Sequence, residues 1–573
     1  RVRRQRQMCI RDRDWLVIGV FFLALIGIIV WVVRQKQNDS ADYFLGGRDA
    51  TWLAIGASIF ASNIGSEHLI GLAGAGASSG MAMAHWEIQG WMILILGWVF
   101  VPFYTRSMVY TMPEFLERRY NPQSRTILSV ISLVSYVLTK VAVTVYAGGL
   151  VFQQVFGIKE LWGIDFFWIA AIGLVVLTAL YTIFGGMKSV LYTSVLQTPI
   201  LLLGSLIILV LGFKELGGWD EMMRVCGAVT VNDYGDTMTN LIRSNDDANF
   251  PWLGALIGSA IIGFWYWCTD QFIVQRVLSG KNEMEARRGT IFGAYLKLLP
   301  VFLFLIPGMI AFALHQKYIG AGGEGFLPML ANGTANADAA FPTLVAKLLP
   351  AGVKGLVVCG ILAALMSSLA SLFNSSAMLF TIDFYKRFRP ETPEKKLVGI
   401  GQVATVVIVI LGILWIPIMR SVGDVLYTYL QDVQSVLAPG IAAAFLLGIC
   451  WKRTSAQGGM WGLIAGMVIG LTRLGAKVYY SNAGEVADST FKYLFYDMNW
   501  LFFCGWMFLF CIIVVIVVSL ATKAPTAEKI QGLVFGTATK EQKAATRASW
   551  NHWDIIHTVI ILAITGAFYW YFW

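Results

Sequence analysis

Apolar runs of about 20 residues recur along the whole chain and are separated by polar or charged stretches. A helix of that length crosses the hydrocarbon core of a bilayer, where only helices and closed barrels satisfy their own backbone hydrogen bonds. The pattern therefore predicts an all-α integral membrane protein with about 14 transmembrane helices. The predicted crossings are 14–33, 51–80, 83–104, 126–152, 163–184, 190–213, 252–277, 290–315, 349–382, 397–419, 425–449, 456–474, 498–521 and 553–573.

Two of these crossings are interrupted by glycine and polar residues. The second contains Asn63 and Gly65, and the seventh contains Gly263 and Asp270. The second and the seventh crossing run through the membrane in opposite directions. Corresponding discontinuous helices in oppositely oriented halves are typical of inverted repeats with a binding site at the bilayer midplane. We expect a first five-helix repeat at 51–213, a second and inverted repeat at 252–449, and peripheral helices at 14–33 and within 456–573.

The composition and the charge distribution agree with a membrane location. Of the residues, 57% are hydrophobic and only 13% are charged, against about 25% charged in soluble domains. The net charge of +9 is spread over loops and does not indicate nucleic-acid binding. One set of alternating loops carries roughly twice as many Lys and Arg residues as the other, so the positive-inside rule predicts that both termini are extracellular or periplasmic. On this orientation 522–552 is a cytoplasmic loop, expected to be a plain linker. The Arg-rich stretch 1–13 contradicts the orientation and starts without Met, so we expect it to be non-native or disordered.

Ionisable residues at membrane depth indicate a polar site. Each costs about 2.5–3.5 kcal/mol to insert on translocon scales. One such residue can simply hydrogen-bond a neighbouring helix, and for a single residue that interpretation is as good as a functional one. Several of them near two interrupted helices favour a polar cavity. The residues are Glu67, His68, Glu87, Asp270 and Lys297.

Hydroxyl groups recur within the apolar stretch 364–376, several of them on one face of a helix. A helical serine can bond to the carbonyl one turn back, and a stripe of small residues can be only a close-packing face. The alternative is a cation site, because Na⁺ is a hard ion that takes hydroxyl and carbonyl oxygens, and an interrupted helix has free carbonyls. From these residues alone the two interpretations are equally good. The serines are Ser367, Ser368, Ser371, Ser375 and Ser376.

Aromatic residues Trp265, Tyr266 and Trp267 lie inside the seventh crossing, beside its interruption. Interfacial aromatic belts account for most Trp residues of membrane proteins, but a belt fits poorly with rings next to Cys-Thr-Asp-Gln inside an interrupted helix. Aromatic faces pack on the C–H faces of sugar rings, while flanking polar groups bind hydroxyls. The sequence shows no metal-ligand cluster, nucleophile elbow or phosphate-binding glycine loop, so an enzyme is not expected.

Six stretches of the sequence resemble the sodium/solute symporter family, most closely its sodium/glucose cotransporter branch. The resemblance covers most of residues 41–455. It implies a leucine-transporter-type fold of 5+5 inverted repeats, with two discontinuous helices and external termini. The stretches are ASNIGSEHLIGLAG (61–74), GWVFVPFY with TMPEFLERRY (97–120), LYTIFGGMKSVLYT (180–193), FWYWCTDQFIVQR (264–276), SSLASLFNS (367–375) and YLQDVQSVLAPG (429–440).

Carried over position by position, the resemblance implies three sets of site residues. The Na⁺ site would use the carbonyls of Ala61, Ile64 and Ala364 and the hydroxyls of Ser367 and Ser368. The solute contacts would be Asn63, His68, Glu87, Lys297, Gln431 and Trp267. The gates would be Tyr266 on the inner side and Leu72, Trp86 and Tyr427 on the outer side.

The resemblance implies a symporter that couples Na⁺ entry to uptake of a monosaccharide similar to glucose or galactose by alternating access. Ser194 stands where some members have an acidic residue that belongs to a second sodium site, so one Na⁺ per sugar is expected. Gly263 stands where some bacterial sugar transporters have Asn, and one possible sugar contact is therefore missing. Transport of myo-inositol, another polyol, sialic acid or an amino acid stays open, as do a passive channel and the oligomeric state.

Overall fold

The computed structural model describes residues 12–35, 39–65, 67–330, 333–420, 426–482 and 487–573. Within these residues the chain is almost entirely helical, with one two-stranded antiparallel ribbon of Glu160–Leu161 and Ile164–Asp165. Eleven helices in the described part are long and apolar enough to cross a membrane. The predicted stretch 1–13 lies outside the described residues except for its last two positions, which begin the helix Asp12–Val33.

The helical segments follow one another in short connections. The α-helices are Asp12–Val33, Ser40–Leu45, Trp52–Asn63, Ala73–Ser79, Ala84–Glu87, Gly90–Ile95, Val101–Ser107, Met112–Arg119, Pro122–Ser135, Ala142–Phe156, Phe166–Leu216, Trp219–Gly227, Trp252–Gly263, Gln271–Leu278, Glu283–Lys297, Ile306–Gly320, Ala340–Leu348, Val353–Met378, Lys386–Phe388, Glu394–Arg420, Leu426–Cys450, Ala456–Asn482, Thr490–Lys492, Trp500–Ala521, Lys540–Ala548 and His552–Tyr571. The π-helical turns are Glu67–Leu72, Leu96–Phe100, Tyr136–Val141, Phe264–Thr269, Val301–Leu305, Leu379–Tyr385 and Tyr493–Asp497. The 3₁₀ turns are Gly46–Arg48, Gly80–Met83, Ala337–Ala339 and Ala527–Lys529.

Both predicted interruptions are present. The first broken helix stops at Asn63, where Ile64 takes an extended conformation (φ −81°, ψ 104°), and it resumes with the turn that begins at Glu67. The second broken helix stops at Thr269, where Asp270 is extended (φ −75°, ψ 127°). The Asp270 side chain accepts a hydrogen bond from the backbone N–H of Phe272, so it caps the segment that follows the break.

The eleven long helices cover more than eleven of the predicted crossings, because a continuous helical run can contain two of them. The predicted crossings 163–184 and 190–213 lie in one run, Phe166–Leu216, that is non-helical at Gly186 (φ 53°, ψ −148°). A side chain at Gly186 would collide with the Tyr43 carbonyl, so glycine is required there. The predicted crossing 126–152 is divided among shorter segments. The predicted count of about 14 crossings and the inverted repeat stay predictions.

The helix Val353–Met378, here called the serine helix, lies at the centre of the molecule. In the run Val353–Phe388, 89% of the most apolar stretch is buried. The corresponding fraction is 22% for Asp12–Val33 and for His552–Tyr571. The exposed side chains of these two helices are largely apolar, as a surface in contact with lipid requires.

The segment 522–552 is not the plain linker that was expected. It contains the helix Lys540–Ala548, which starts with a capping box of Thr539 and Gln542. The Lys529 ammonium donates to the Glu117 carbonyl at 2.7 Å, and Arg106 donates to the Thr546 hydroxyl at 2.5 Å. The segment is therefore packed against helices of the membrane domain.

Candidate functional site

A cavity with about 410 Å³ of empty space lies where the two broken helices are interrupted. All six predicted solute contacts line it, although they come from distant parts of the chain. The structure thus brings together residues that the sequence separates by more than 300 positions. The lining residues are Asn63, Glu67, His68, Trp86, Glu87, Gln89, Ile262, Gly263, Tyr266, Trp267, Lys297, Gln431 and Gln434.

A buried ion pair lies on the wall of this cavity. Glu87 ends the short helix Ala84–Glu87, and Lys297 ends the helix Glu283–Lys297, so both side chains extend from helix ends into the cavity wall. The Lys297 ammonium donates to the Glu87 carboxylate at 2.6 Å and to the Asn63 side-chain oxygen at 3.0 Å. His68 Nε2 lies 3.3 Å from the same carboxylate. Because Lys297 and Glu87 are 3% and 1% exposed, each charge depends on the other for compensation.

Two aromatic rings form one side of the cavity. The Tyr266 hydroxyl accepts a hydrogen bond from the Asn63 amide at 3.2 Å, and the Tyr266 and Trp267 rings meet edge to face at 5.0 Å. The Trp267 indole N–H donates to Gln89 at 3.2 Å, and the Gln89 amide donates to the Ser259 carbonyl at 2.8 Å. The orientation of Trp267 is therefore fixed by a chain of hydrogen bonds.

The predicted outer gate residues are placed differently from one another. Trp86 lines the cavity and stacks on Trp500, with ring centroids 5.4 Å apart. Leu72 is fully buried but is not part of the cavity wall. The side chain of Tyr427 lies outside the described residues.

A second cavity, with about 330 Å³ of empty space, is lined by some of the same residues. Glu67, Tyr266 and Gln434 line both cavities. Lys140 lines only the second one and pairs with Asp270 at 2.5 Å. Asp270, identified as an ionisable residue at membrane depth, therefore pairs with Lys140, whose ammonium lies 4.7 Å from the centre of the Tyr266 ring, and does not line the larger cavity.

The serine helix meets the first broken helix at its interruption. The Ser368 hydroxyl donates to the carbonyls of Ser62 and Ile64, both at 3.1 Å. These carbonyls are accessible because the helix ends at Asn63 and leaves its last carbonyls without intrahelical partners. The arrangement offers a hydroxyl oxygen and main-chain oxygens to a hard cation once the hydroxyl hydrogen turns away.

The other predicted Na⁺ ligands lie nearby on the same two helices. Ser367 Oγ is 3.4 Å from Ser194 Oγ, and the Ser194 hydroxyl donates to the Val190 carbonyl at 2.6 Å. Ala61 and Ala364 are both buried, at 1% exposure. Of the predicted ligands, Ile64 and Ser368 are thus in direct contact, while Ser367 faces Ser194.

Sequence reasoning missed several lining residues. Glu67 was identified as ionisable but given no role. Gln89 lies two positions after Glu87 in an apolar run, and Gln434 lies three positions after Gln431, on the same face of a helix. The available signals were a polar residue inside an apolar run for Gln89 and the helical i, i+3 spacing for Gln434. Trp500 does not line the cavity but stacks on Trp86, and it has no such signal, because this contact joins residues far apart in sequence.

Comparison with known proteins agrees with this architecture. The model of the sodium:solute symporter family matches residues 43–466. The human sodium/myo-inositol cotransporter 2 is 36% identical over 538 residues, which cover 91% of this chain and 79% of that protein. The dog sodium/myo-inositol cotransporter is 37% identical over 547 residues, covering 91% and 75%.

A solved structure of a Na⁺-coupled sialic acid symporter in a substrate-bound outward-open state has a TM-score of 0.72 to this chain. It is 21% identical and covers 90% of this chain and 99% of its own, so it shows the fold, which is of the leucine-transporter type. The chain belongs to the sodium:solute symporter family and is a multi-pass membrane protein that couples Na⁺ to solute transport, not an enzyme.

Proposed function

We propose that this symporter takes up myo-inositol or a closely similar cyclic polyol together with Na⁺. The relatives named as sodium/myo-inositol cotransporters support a cyclitol as the solute. The sequence resemblance alone favoured glucose. The observation that carries the proposal is the buried cluster of Lys297, Glu87 and His68 in a cavity beside Trp267. A monosaccharide is the second candidate, because a pyranose presents a similar ring of hydroxyl groups.

The donors and acceptors of the cavity suit a neutral ring with many hydroxyl groups. Ionised Glu87 only accepts hydrogen bonds, Lys297 only donates, and the Gln431 amide does both. Each hydroxyl of a cyclitol donates and accepts, so such a mixed wall can satisfy it on several sides. Because Glu87 neutralises Lys297, the Lys297 charge is not free to hold the carboxylate of an amino acid or of sialic acid.

The aromatic rings give the solute its second kind of contact. The edges of a cyclitol carry hydroxyls, and its faces carry C–H groups that pack on an aromatic ring. Trp267 is the ring proposed for this contact, since its hydrogen bond to Gln89 fixes its orientation. Tyr266, held by Asn63, is proposed as the inner gate, and Leu72, Trp86 and Tyr427 as the outer gate.

For Na⁺ we propose the carbonyls of Ala61, Ile64 and Ala364 and the hydroxyls of Ser367 and Ser368. The contact between Ser368 and the Ile64 carbonyl supports this position. We expect one Na⁺ per solute, because Ser194 provides only a neutral hydroxyl that is already bonded to Val190. One Na⁺ moving through 100 mV provides about 2.3 kcal/mol, and a tenfold gradient adds about 1.4 kcal/mol. Together they support roughly several-hundred-fold accumulation of the solute.

The first broken helix connects the two sites. Its interruption supplies Ile64 to the cation site, while Asn63 and His68 of the same segment face the solute cavity. Binding of Na⁺ therefore orders the backbone that also carries solute contacts, and coupling requires that the solute tighten Na⁺ binding by the same factor. Both termini are proposed to lie outside the cytoplasm, following the loop charges.

Uptake into proteoliposomes tests the proposal. Radiolabelled myo-inositol and glucose are compared under an inward Na⁺ gradient and under a matched K⁺ gradient. We expect Na⁺-dependent accumulation of myo-inositol, with unlabelled myo-inositol competing at lower concentration than glucose. Accumulation of glucose with no competition by myo-inositol would favour the second candidate, and equal uptake in K⁺ would reject Na⁺ coupling. A reversal potential that fits two Na⁺ per solute would contradict the stoichiometry.

A further inference from the structure

Glu67 has no role in the sites described so far, although its side chain lines both cavities. It is the first residue of the turn that follows the break in the first broken helix. Its carboxylate folds back over Gly65, so closely that a side chain at Gly65 would collide with both carboxylate oxygens. Gly65 directly follows Ile64, so the carboxylate lies against the interrupted backbone that carries the proposed Na⁺ ligand.

The other charged groups at the two cavities have partners. Lys297 pairs with Glu87 at 2.6 Å, and Lys140 pairs with Asp270 at 2.5 Å. These two pairs sum to zero charge. Glu67 has no such cation: among the described residues, its ion-pair contact within 4.0 Å is His68 Nδ1, at 4.0 Å from Glu67 Oε1. That distance exceeds a hydrogen bond, and His68 carries a charge only when it is protonated.

One oxygen of Glu67 is also unsatisfied. Oε2 is buried and has no hydrogen-bond partner in the described part of the chain. Burying a carboxylate oxygen without a hydrogen-bond partner costs free energy, and burying the unpaired negative charge of the Glu67 carboxylate costs more. A cation bound within several ångströms of this carboxylate would offset its negative charge.

We propose that Glu67 supplies the negative charge that balances Na⁺ bound at Ile64 and Ser368. This inference rests on the proposed Na⁺ site, which otherwise consists only of neutral oxygens. Ser368 lines the second cavity together with Glu67, so the hydroxyl and the carboxylate face the same space. With Glu67 ionised, the two cavities carry one net negative charge before Na⁺ binds, and this charge attracts a cation into them. After Na⁺ binds, the charges sum to zero and the site suits a neutral solute.

A different role for Glu67 is also testable. Its carboxylate reaches the solute cavity, where it could accept a hydrogen bond from a solute hydroxyl. Charge balance and solute contact affect different constants. Charge balance sets the affinity for Na⁺ measured without solute, and solute contact sets the solute concentration for half-maximal uptake at saturating Na⁺.

The test uses Glu67→Gln, which removes the charge at nearly constant shape, and Glu67→Asp, which keeps the charge. Na⁺ affinity is measured by titration calorimetry on the purified full chain without solute. For Glu67→Gln we expect roughly 15- to 60-fold weaker Na⁺ binding, the loss expected for one unit charge about 7–10 Å away at an effective dielectric constant of about 20. Glu67→Asp should stay within about threefold of the unsubstituted protein, because the charge remains.

Each alternative result has a defined meaning. Glu221→Gln, on an exposed helix, is the matched control and should leave Na⁺ affinity unchanged. Unchanged Na⁺ affinity in Glu67→Gln together with a higher solute requirement would overturn charge balance in favour of solute contact. Equal loss of Na⁺ affinity in Glu67→Asp and Glu67→Gln would also overturn it, since shape rather than charge would then matter. The proposed cation site itself would be refuted by a different pair of results. The unsubstituted protein would take up the solute with Na⁺, and the Ser368→Ala variant would still bind Na⁺ with normal affinity.

Discussion

Removing one partner of the Lys297–Glu87 pair should destabilise the protein far more than an average substitution does. The two groups are 2.6 Å apart and almost fully buried. At an effective dielectric constant of about 20, two unit charges about 4 Å apart interact with about 4 kcal/mol. Loss of one partner also leaves the other charge buried without compensation, a change that costs about 3–5 kcal/mol. We therefore expect Lys297→Met and Glu87→Gln each to lower the free energy of unfolding by about 3–5 kcal/mol.

The double variant separates the pair from its neighbours. When both charges are replaced, no buried charge is left, but the Asn63 oxygen and His68 Nε2 each lose the partner described above. An unsatisfied buried polar group costs about 1–3 kcal/mol, so the double variant should lose less than the sum of the single variants by about 3 kcal/mol or more.

Chemical unfolding in detergent, followed by tryptophan fluorescence, gives the four free energies of this cycle. The matched control is the exposed pair Arg224–Glu221, which has a similar N···O distance of 2.7 Å on the surface. Its coupling should stay below about 1 kcal/mol, because solvent screens exposed pairs. A coupling just as small for Lys297 and Glu87 would refute the argument, since it would mean that the cavity wall is as hydrated as the surface.

Three further substitutions test other parts of the structure. Ser368→Ala removes one ligand oxygen and should raise the Na⁺ concentration for half-maximal uptake by about tenfold or more. Ser376→Ala, on the same helix, should leave that concentration unchanged. Equal effects of the two substitutions would mean that the cation site is not at Ser368. Tyr266→Phe loses the hydrogen bond with Asn63 and should increase Na⁺-independent solute leak from preloaded vesicles, and a leak no larger than in the unsubstituted protein would argue against the inner gate. Burial raises the pKa of Asp338, which lies between membrane-spanning helices, from 3.8 to about 6. The folded state therefore holds this proton more tightly than the unfolded state does, and the free energy of unfolding falls as the pH rises from about 4 to about 6. Asp338→Asn should remove that decline and add about 2–3 kcal/mol to the free energy of unfolding at pH 7. Denaturant titrations across this pH range measure both effects.

Local signals in the sequence were sufficient to locate the helix interruptions. Ile64 and Asp270 take extended conformations within the predicted broken crossings. Glycine at 65 and a capping aspartate at 270 act within a few residues along the chain, so their effect can be read without knowing the rest of the fold. The serine pattern likewise predicted a hydroxyl-rich helix, and Ser368 lies beside the first interruption.

Helix boundaries and the role of 522–552 were harder to predict. Hydropathy divides the chain into apolar stretches, but it does not show that the run Phe166–Leu216 continues across a single non-helical glycine. The polar segment 522–552 looked like a linker because its contacts are with helix ends that lie hundreds of residues away, as for Lys529 with Glu117. Polarity alone does not distinguish a segment exposed to water from one packed on polar helix ends.

Multiple membrane crossings, two broken helices and similarity to one family can be read from the chain alone, because these properties depend on local hydropathy, local backbone preferences and short motifs. Which charges meet becomes visible only in the folded chain. Lys297 pairs with Glu87 across 210 positions, Lys140 pairs with Asp270 across 130, and Glu67 is left facing both cavities. Pairing between distant residues depends on how helices pack, and the low dielectric of the interior makes the presence or absence of a partner decisive for each charge.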